Sequence, residues 1–201
     1  MQAEMSIQLG NQVGAVGADE KAALIPHGLF GMVIFVIAEV MLFAGMISAF
    51  LIVKAAASAW PPLDQPRLPI EETAINSLAL LASGFFLILA HRAFHRGDRD
   101  GMRRPMWITL FLGGFFVLFQ GAEWVALLGQ GLTLTSSSLG SFFYLIVGIH
   151  GIHAIAALGL LGVATNRLRS GWLSPGMFGA AEALWFFVVA VWPVLYLVVY
   201  L

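Results

Sequence analysis

The chain has 201 residues, 60% of them hydrophobic and only 10% charged, with a mean hydropathy of +0.89. Soluble domains carry about 25% charged residues, so this chain could not cover the surface of a water-soluble fold; it is expected to be an integral membrane protein. A net charge of −1 gives no purchase on nucleic acid. The absence of cysteine excludes disulfides, thiolate-held zinc, iron–sulfur clusters and blue copper.

Residues 1–27 are polar and small and lack both a basic n-region and an apolar h-region, so they read as a cytoplasmic leader and not as a signal peptide. Five apolar stretches follow, at about 28–53, 73–95, 106–128, 138–165 and 178–201. Each reaches the roughly 20 helical residues that a bilayer requires. None alternates apolar and polar residues as the strands of a barrel would. The expected fold is therefore an all-α bundle of five transmembrane helices spanning 28–201.

Basic residues set the expected orientation. Arg92, Arg96, Arg99, Arg103 and Arg104 cluster between spans two and three, and Arg167 and Arg169 lie between spans four and five. Those two loops share a side, which the positive-inside rule makes cytoplasmic. The N-terminus is then cytoplasmic and the C-terminus periplasmic, in a multi-pass protein of the bacterial cytoplasmic membrane.

Polar groups at membrane depth carry the functional signal, because an unpaired charge there costs at least about 2.5 kcal/mol. Glu39 sits in the middle of span one, and His150 and His153 in span four. Counted from the cytoplasmic ends at 1.5 Å per residue, Glu39 lies roughly 16 Å and His153 roughly 18 Å up their helices. A Glu–His contact is expected at that depth. Glu39 has two readings: a proton-carrying or lipid-facing carboxyl, or a buried group that fastens two helices.

Gly148, Gly151, Gly159 and Gly162 cluster within roughly 80° of one face of span four, opposite the histidines. Glycine permits close helix approach, so span four is expected to be an interior helix packed on both faces. Glu123 near the outer end of span three, beside Gln120 and Trp124, and Glu182 near the inner end of span five are expected to reach the interface. Trp60, Trp107, Trp124, Trp172, Trp185 and Tyr200 read as an aromatic belt.

His91 and His95 are spaced as haem ligands on span two, but they share the basic inner end with Arg92 and Arg96, where polar side chains snorkel. A stand-alone membrane cytochrome b or a transporter is the rival of another class. No catalytic residue and no metal ligand is expected in the chain.

Several segments together resemble subunit III of the haem–copper terminal oxidases, most closely the cytochrome c oxidase type. They are Ile37–Gly45 (IAEVMLFAG), Trp60-Pro61-Pro62, Asn76-Ser77, Leu80–Gly84 (LLASG), Ala90-His91, Gly97-Asp98-Arg99, Gln120 with Glu123 and Trp124, Gly148–Ala154 (GIHGIHA), Phe178-Gly179, and Trp185 with Trp192, Leu195 and Tyr196. The resemblance covers roughly 27–201, in order and with similar spacing.

It implies an accessory subunit without haem or copper, assembled with subunit I, which holds haem and copper, and subunit II, which holds copper if cytochrome c is the donor. It also implies bound phospholipid, protection of subunit I during turnover, and support of proton uptake. The family's carbodiimide-reactive carboxylate falls on Glu39, and its paired histidines on His150 and His153. The glutamate of that motif favours cytochrome c as donor; a quinol oxidase or nitric-oxide reductase accessory protein is the nearest alternative. Full-length relatives have seven spans, of which the last five match here. Phe186 and Val189 stand where that family has histidine and aspartate.

Overall fold

The computed structural model describes residues 27–62, 65–171 and 173–201. Its helices are α1 (His27–Ala56), α2 (Ile70–His95), α3 (Arg99–Gly129), α4 (Ser138–Arg169) and α5 (Pro175–Leu195), the last widening into a π turn over Tyr196–Tyr200. All five are long and apolar enough to cross a membrane, and no strand occurs among the described residues. Helices answer the lack of water in hydrocarbon, since each satisfies its own backbone donors and acceptors. Residues 1–26, expected as the leader, lie outside the described residues, as does Trp172.

The helices outrun the apolar stretches that announce them. α3 begins at Arg99 and not near 106, because Asp98 caps it by accepting a 2.8 Å hydrogen bond from the Gly101 N–H. Its polar first turns therefore stay helical beyond the apolar core. Ser137 and Ser174 cap α4 and α5 in the same way, at 3.1 and 3.3 Å. α2 ends in a Schellman turn: Gly97, at φ +70°, lets its own N–H reach the Phe94 carbonyl and the Asp98 N–H reach that of Ala93, both at 3.0 Å. Asp98 thus ends one helix and starts the next.

α2, α3, α4 and α5 form a ring in which each packs on the next, with α5 closing back onto α2; α1 lies outside it, against α5 and more lightly α4. α4, expected as an interior helix, packs on α3, α5 and, more lightly, α1, and α5 is the most enclosed of the five spans. The reason is the set of residues that α5 buries: Trp185, Phe187, Val188 and Trp192 all face inward.

Close backbone approaches occur elsewhere than on the glycine face of α4. A methyl at Gly84 would stand 3.0 Å from the Val189 side chain, and one at Gly113 2.5 Å from the Trp185 ring. By contrast, Gly148, Gly159 and Gly162 have nothing within 4 Å of such a methyl; only Gly151 does, from the Trp124 ring at 3.2 Å. The small-residue face of α4 is open rather than packed.

Candidate functional site: two buried carboxyls and a histidine pair

Glu39 projects from α1 towards α4, where His153 Nε2 stands 3.2 Å from its Oε2. Both side chains are mostly enclosed, at 14% and 13% exposure. Phe35 and Phe43 of α1 and Phe187 of α5 surround the imidazole at ring separations of 6.1, 5.8 and 5.8 Å. His153 Nδ1 lies 2.8 Å from the Ile149 carbonyl, one turn back. A carbonyl only accepts, so the hydrogen on the ring belongs to Nδ1. Nε2 then faces the carboxyl with its lone pair, and a hydrogen bond between the two needs one proton held in common. The approach has ion-pair distance without hydrogen-bond alignment, for Oε2 makes no hydrogen bond among the described residues.

His150 does not join that pair. It is fully buried one turn away on α4, its ring tilted against Trp192 at 5.0 Å and edge-on to Phe43 and Phe116. The i, i+3 spacing puts the two imidazoles on neighbouring but distinct lines of the helix; both meet Phe43 of α1, and only His153 reaches Glu39.

The second carboxyl, Glu123, was expected at the interface and is instead buried. Its Oε2 accepts from Thr73 Oγ1 at 2.9 Å and from Gln120 Nε2 at 2.8 Å, and the same amide lies 3.1 Å from the Tyr200 hydroxyl. Thr73 comes from α2, Gln120 and Glu123 from α3, and Tyr200 from the π turn. The cluster ties three elements together near one end of the bundle. Thr73 was not singled out from sequence, since a threonine among apolar neighbours carries no distinguishing pattern, and Tyr200 was read as a belt anchor and not as a partner of Gln120.

Glu182 also turns inward. It is 9% exposed and pairs with His91 Nδ1 at 2.8 and 3.0 Å through its two oxygens, with the His95 ring tilted against that of His91 at 4.3 Å. α5 presents this carboxyl to α2 and not to the interface, because helix α5 is enclosed along most of its length. The aromatic belt is corrected for the same reason. Trp185 and Tyr200 of that belt are buried; Trp185 donates to Ser83 Oγ (3.1 Å) of α2, as Trp192, fully buried and outside the expected belt, does to Ser77 Oγ (2.7 Å). Of the tryptophans expected in the belt, Trp107 is exposed, with the Arg169 guanidinium 5.7 Å from its ring centre.

Among the described residues no group of three or more His, Asp or Glu side chains is placed to hold a metal ion. What the arrangement offers is proton-bearing groups and helix-to-helix fastening.

The family model for cytochrome c oxidase subunit III matches residues 13–201. The chain belongs to that family. It is 35% identical over 177 residues to a cytochrome c oxidase subunit 3 of Synechocystis, covering 86% of this chain and 75% of the relative. It is 34% identical over 188 residues to the protein of that name from Equus caballus (89% and 71%), and 34% over 180 residues to that from Bos taurus (85% and 68%). Membership makes this a multi-pass membrane component of an oxidase complex. Val189 of the last helix packs on Gly84 as plain hydrocarbon.

Proposed function

We propose that this chain is the accessory, non-redox subunit III of a respiratory terminal oxidase of the cytochrome c type. It would sit in the bacterial cytoplasmic membrane with its N-terminus inside, beside subunits I and II that hold the haem and copper. Its part is to stabilise subunit I while oxygen is reduced and protons are pumped, and to aid proton uptake. The observation that carries this reading is the family match over nearly the whole chain, reached independently of the Glu39–His153 pair.

The geometry supports a proton-bearing role for that pair. A carboxyl oxygen and an imidazole nitrogen 3.2 Å apart are two proton-bearing groups within reach of each other. Glu39 also lies on α1, the least enclosed helix, where lipid or a lipophilic reagent can reach it.

The test is turnover. Oxidase assembled without this chain is expected to begin near its normal rate and lose activity as it cycles. Immediate loss of oxygen reduction, with the metal centres of the remaining subunits spectroscopically intact, would assign the chain a direct catalytic part and overturn the reading.

A further inference from the structure

Among the described residues, Lys54 and Arg67 are the two lysine or arginine side chains at their end of the bundle; all the others gather at the opposite end. The positive-inside bias leaves one side of a membrane protein poor in such charges, so two of them meeting there is a placement to explain. Lys54 near the end of α1 and Arg67 just ahead of α2 line one pocket of about 350 Å³. Neither is in an ion pair among the described residues, although Glu71 and Glu72 follow in the first turn of α2. Lys54 is half-buried, and its ammonium lies over the ring of the fully buried Phe50, 5.7 Å from the centre. A lysine at a helix end ordinarily carries its head out into water. Trp60, edge-on to the same Phe50 ring at 5.5 Å, is part of the pocket wall. One charge is thus held against hydrocarbon at the pocket, and the other, on the exposed Arg67, joins it from the connecting segment.

We infer that this pocket binds the phosphate of an anionic phospholipid in the leaflet at this end of the bundle, with Lys54 and Arg67 as its cationic partners. Two features select a lipid rather than a free anion or an acidic peptide. Ile70, Leu139 and Val199 of the pocket lie where spans begin or end, the height at which headgroups stand. Ile70 and Leu201 are exposed at its edge and give acyl chains an apolar way into the bilayer. A free phosphate gains nothing from that hydrocarbon. Two cations with no carboxylate paired to them favour a headgroup of net negative charge over a zwitterion, whose own cation they repel. The volume is within the range of about 300–1,000 Å³ that small-ligand sites occupy.

Photocrosslinking tests this on the full chain in its native membrane complex, reconstituted into phosphatidylcholine vesicles. A trace of phosphatidylglycerol carrying a diazirine beside its glycerol backbone is the probe, and phosphatidylcholine with the same diazirine is its match. Mass spectrometry locates the labelled residues. The phosphatidylglycerol probe is expected to label residues 60–70 in preference to the phosphatidylcholine probe. Lys54→Gln and Arg67→Gln should each lower that preference about fivefold, whereas Arg103→Gln at the opposite end should leave it unchanged. Inorganic phosphate, compared with sodium chloride at equal ionic strength, should not displace the probe. Equal labelling by the two lipids in the wild type overturns the inference, as does an undiminished preference in the double glutamine variant once it assembles. Displacement by inorganic phosphate assigns the pocket to a free anion and overturns the lipid. Absence of labelling by both probes means that a neighbouring subunit fills the pocket, which also overturns it. The wild-type comparison decides the matter without any variant and does not depend on the respiratory role.

Discussion

The hydrogen that His153 gives to the Ile149 carbonyl dictates what the ring offers Glu39: a bare Nε2, 3.2 Å from Oε2. The carboxyl is thereby matched to an acceptor rather than to a fixed cation. Glu39→Gln should preserve the shape of the contact, since an amide can donate to Nε2, and should leave the metal-centre spectra of the complex unchanged. It should abolish labelling of this subunit by a hydrophobic carbodiimide, which requires a carboxyl. Undiminished labelling of the variant, read by mass spectrometry, would assign the reaction to another side chain.

The same geometry separates the two histidines. His153→Phe deprives Glu39 of its only charged or ring-nitrogen neighbour among the described residues and should lower carbodiimide reactivity or change its dependence on pH. His150→Phe, at a ring that does not touch Glu39, should leave that reactivity as it is. Equal effects of the two substitutions on Glu39 labelling would contradict the arrangement.

Glu123 accepts from two helices, so its loss should cost more than the loss of any one donor. Glu123→Ala takes the carboxylate acceptor from the Thr73 hydroxyl and one of two acceptors from the Gln120 amide, which keeps Tyr200, for a loss of about 1–3 kcal/mol. Glu123→Gln keeps an acceptor oxygen and should be milder. Tyr200→Phe gives up one contact worth about 0.5–1.5 kcal/mol. Thermal unfolding of the three variants should rank them in that order.

At the tightest crossing, Gly113→Ala places a methyl against the Trp185 ring at 2.5 Å and a Leu158 methyl at 2.9 Å. The Trp185 ring cannot retreat without disturbing its bond to Ser83, so a loss of about 1–3 kcal/mol is expected. Gly148→Ala, facing open space, should be neutral to stability. Melting of the two variants side by side checks this.

Val189→Asp puts an acid where Val189 now packs on Gly84. The expected cost is about 3 kcal/mol at the membrane centre. Adding Phe186→His, three residues back on the same helix, should recover part of it. A double variant no more stable than the single one would mean that the two positions do not cooperate.

Five helices and their order were legible because length and apolarity alone define a span. The depth of Glu39 and His153 was legible as well, since rise per residue converts position into height. Rotation about the helix axis was not. Helices apolar on all sides carry no stripe to say which face turns inward, so Trp185, Tyr200, Glu123 and Glu182 could equally have faced the interface. What turned them in is partner chemistry: serines on α2 for the tryptophans, Thr73 and Gln120 for Glu123, His91 for Glu182. The glycines of α4 misled for a related reason. Small residues permit contact without requiring it, and three of the four border open space.

Asp98 closes α2 and opens α3 with no spare residue between the two duties. The pair therefore behaves as a single stiff hairpin whose bend cannot absorb added length. A foreign peptide spliced in at that corner would have to break two caps at once, so reporter tags and linkers belong in the other connections of the chain.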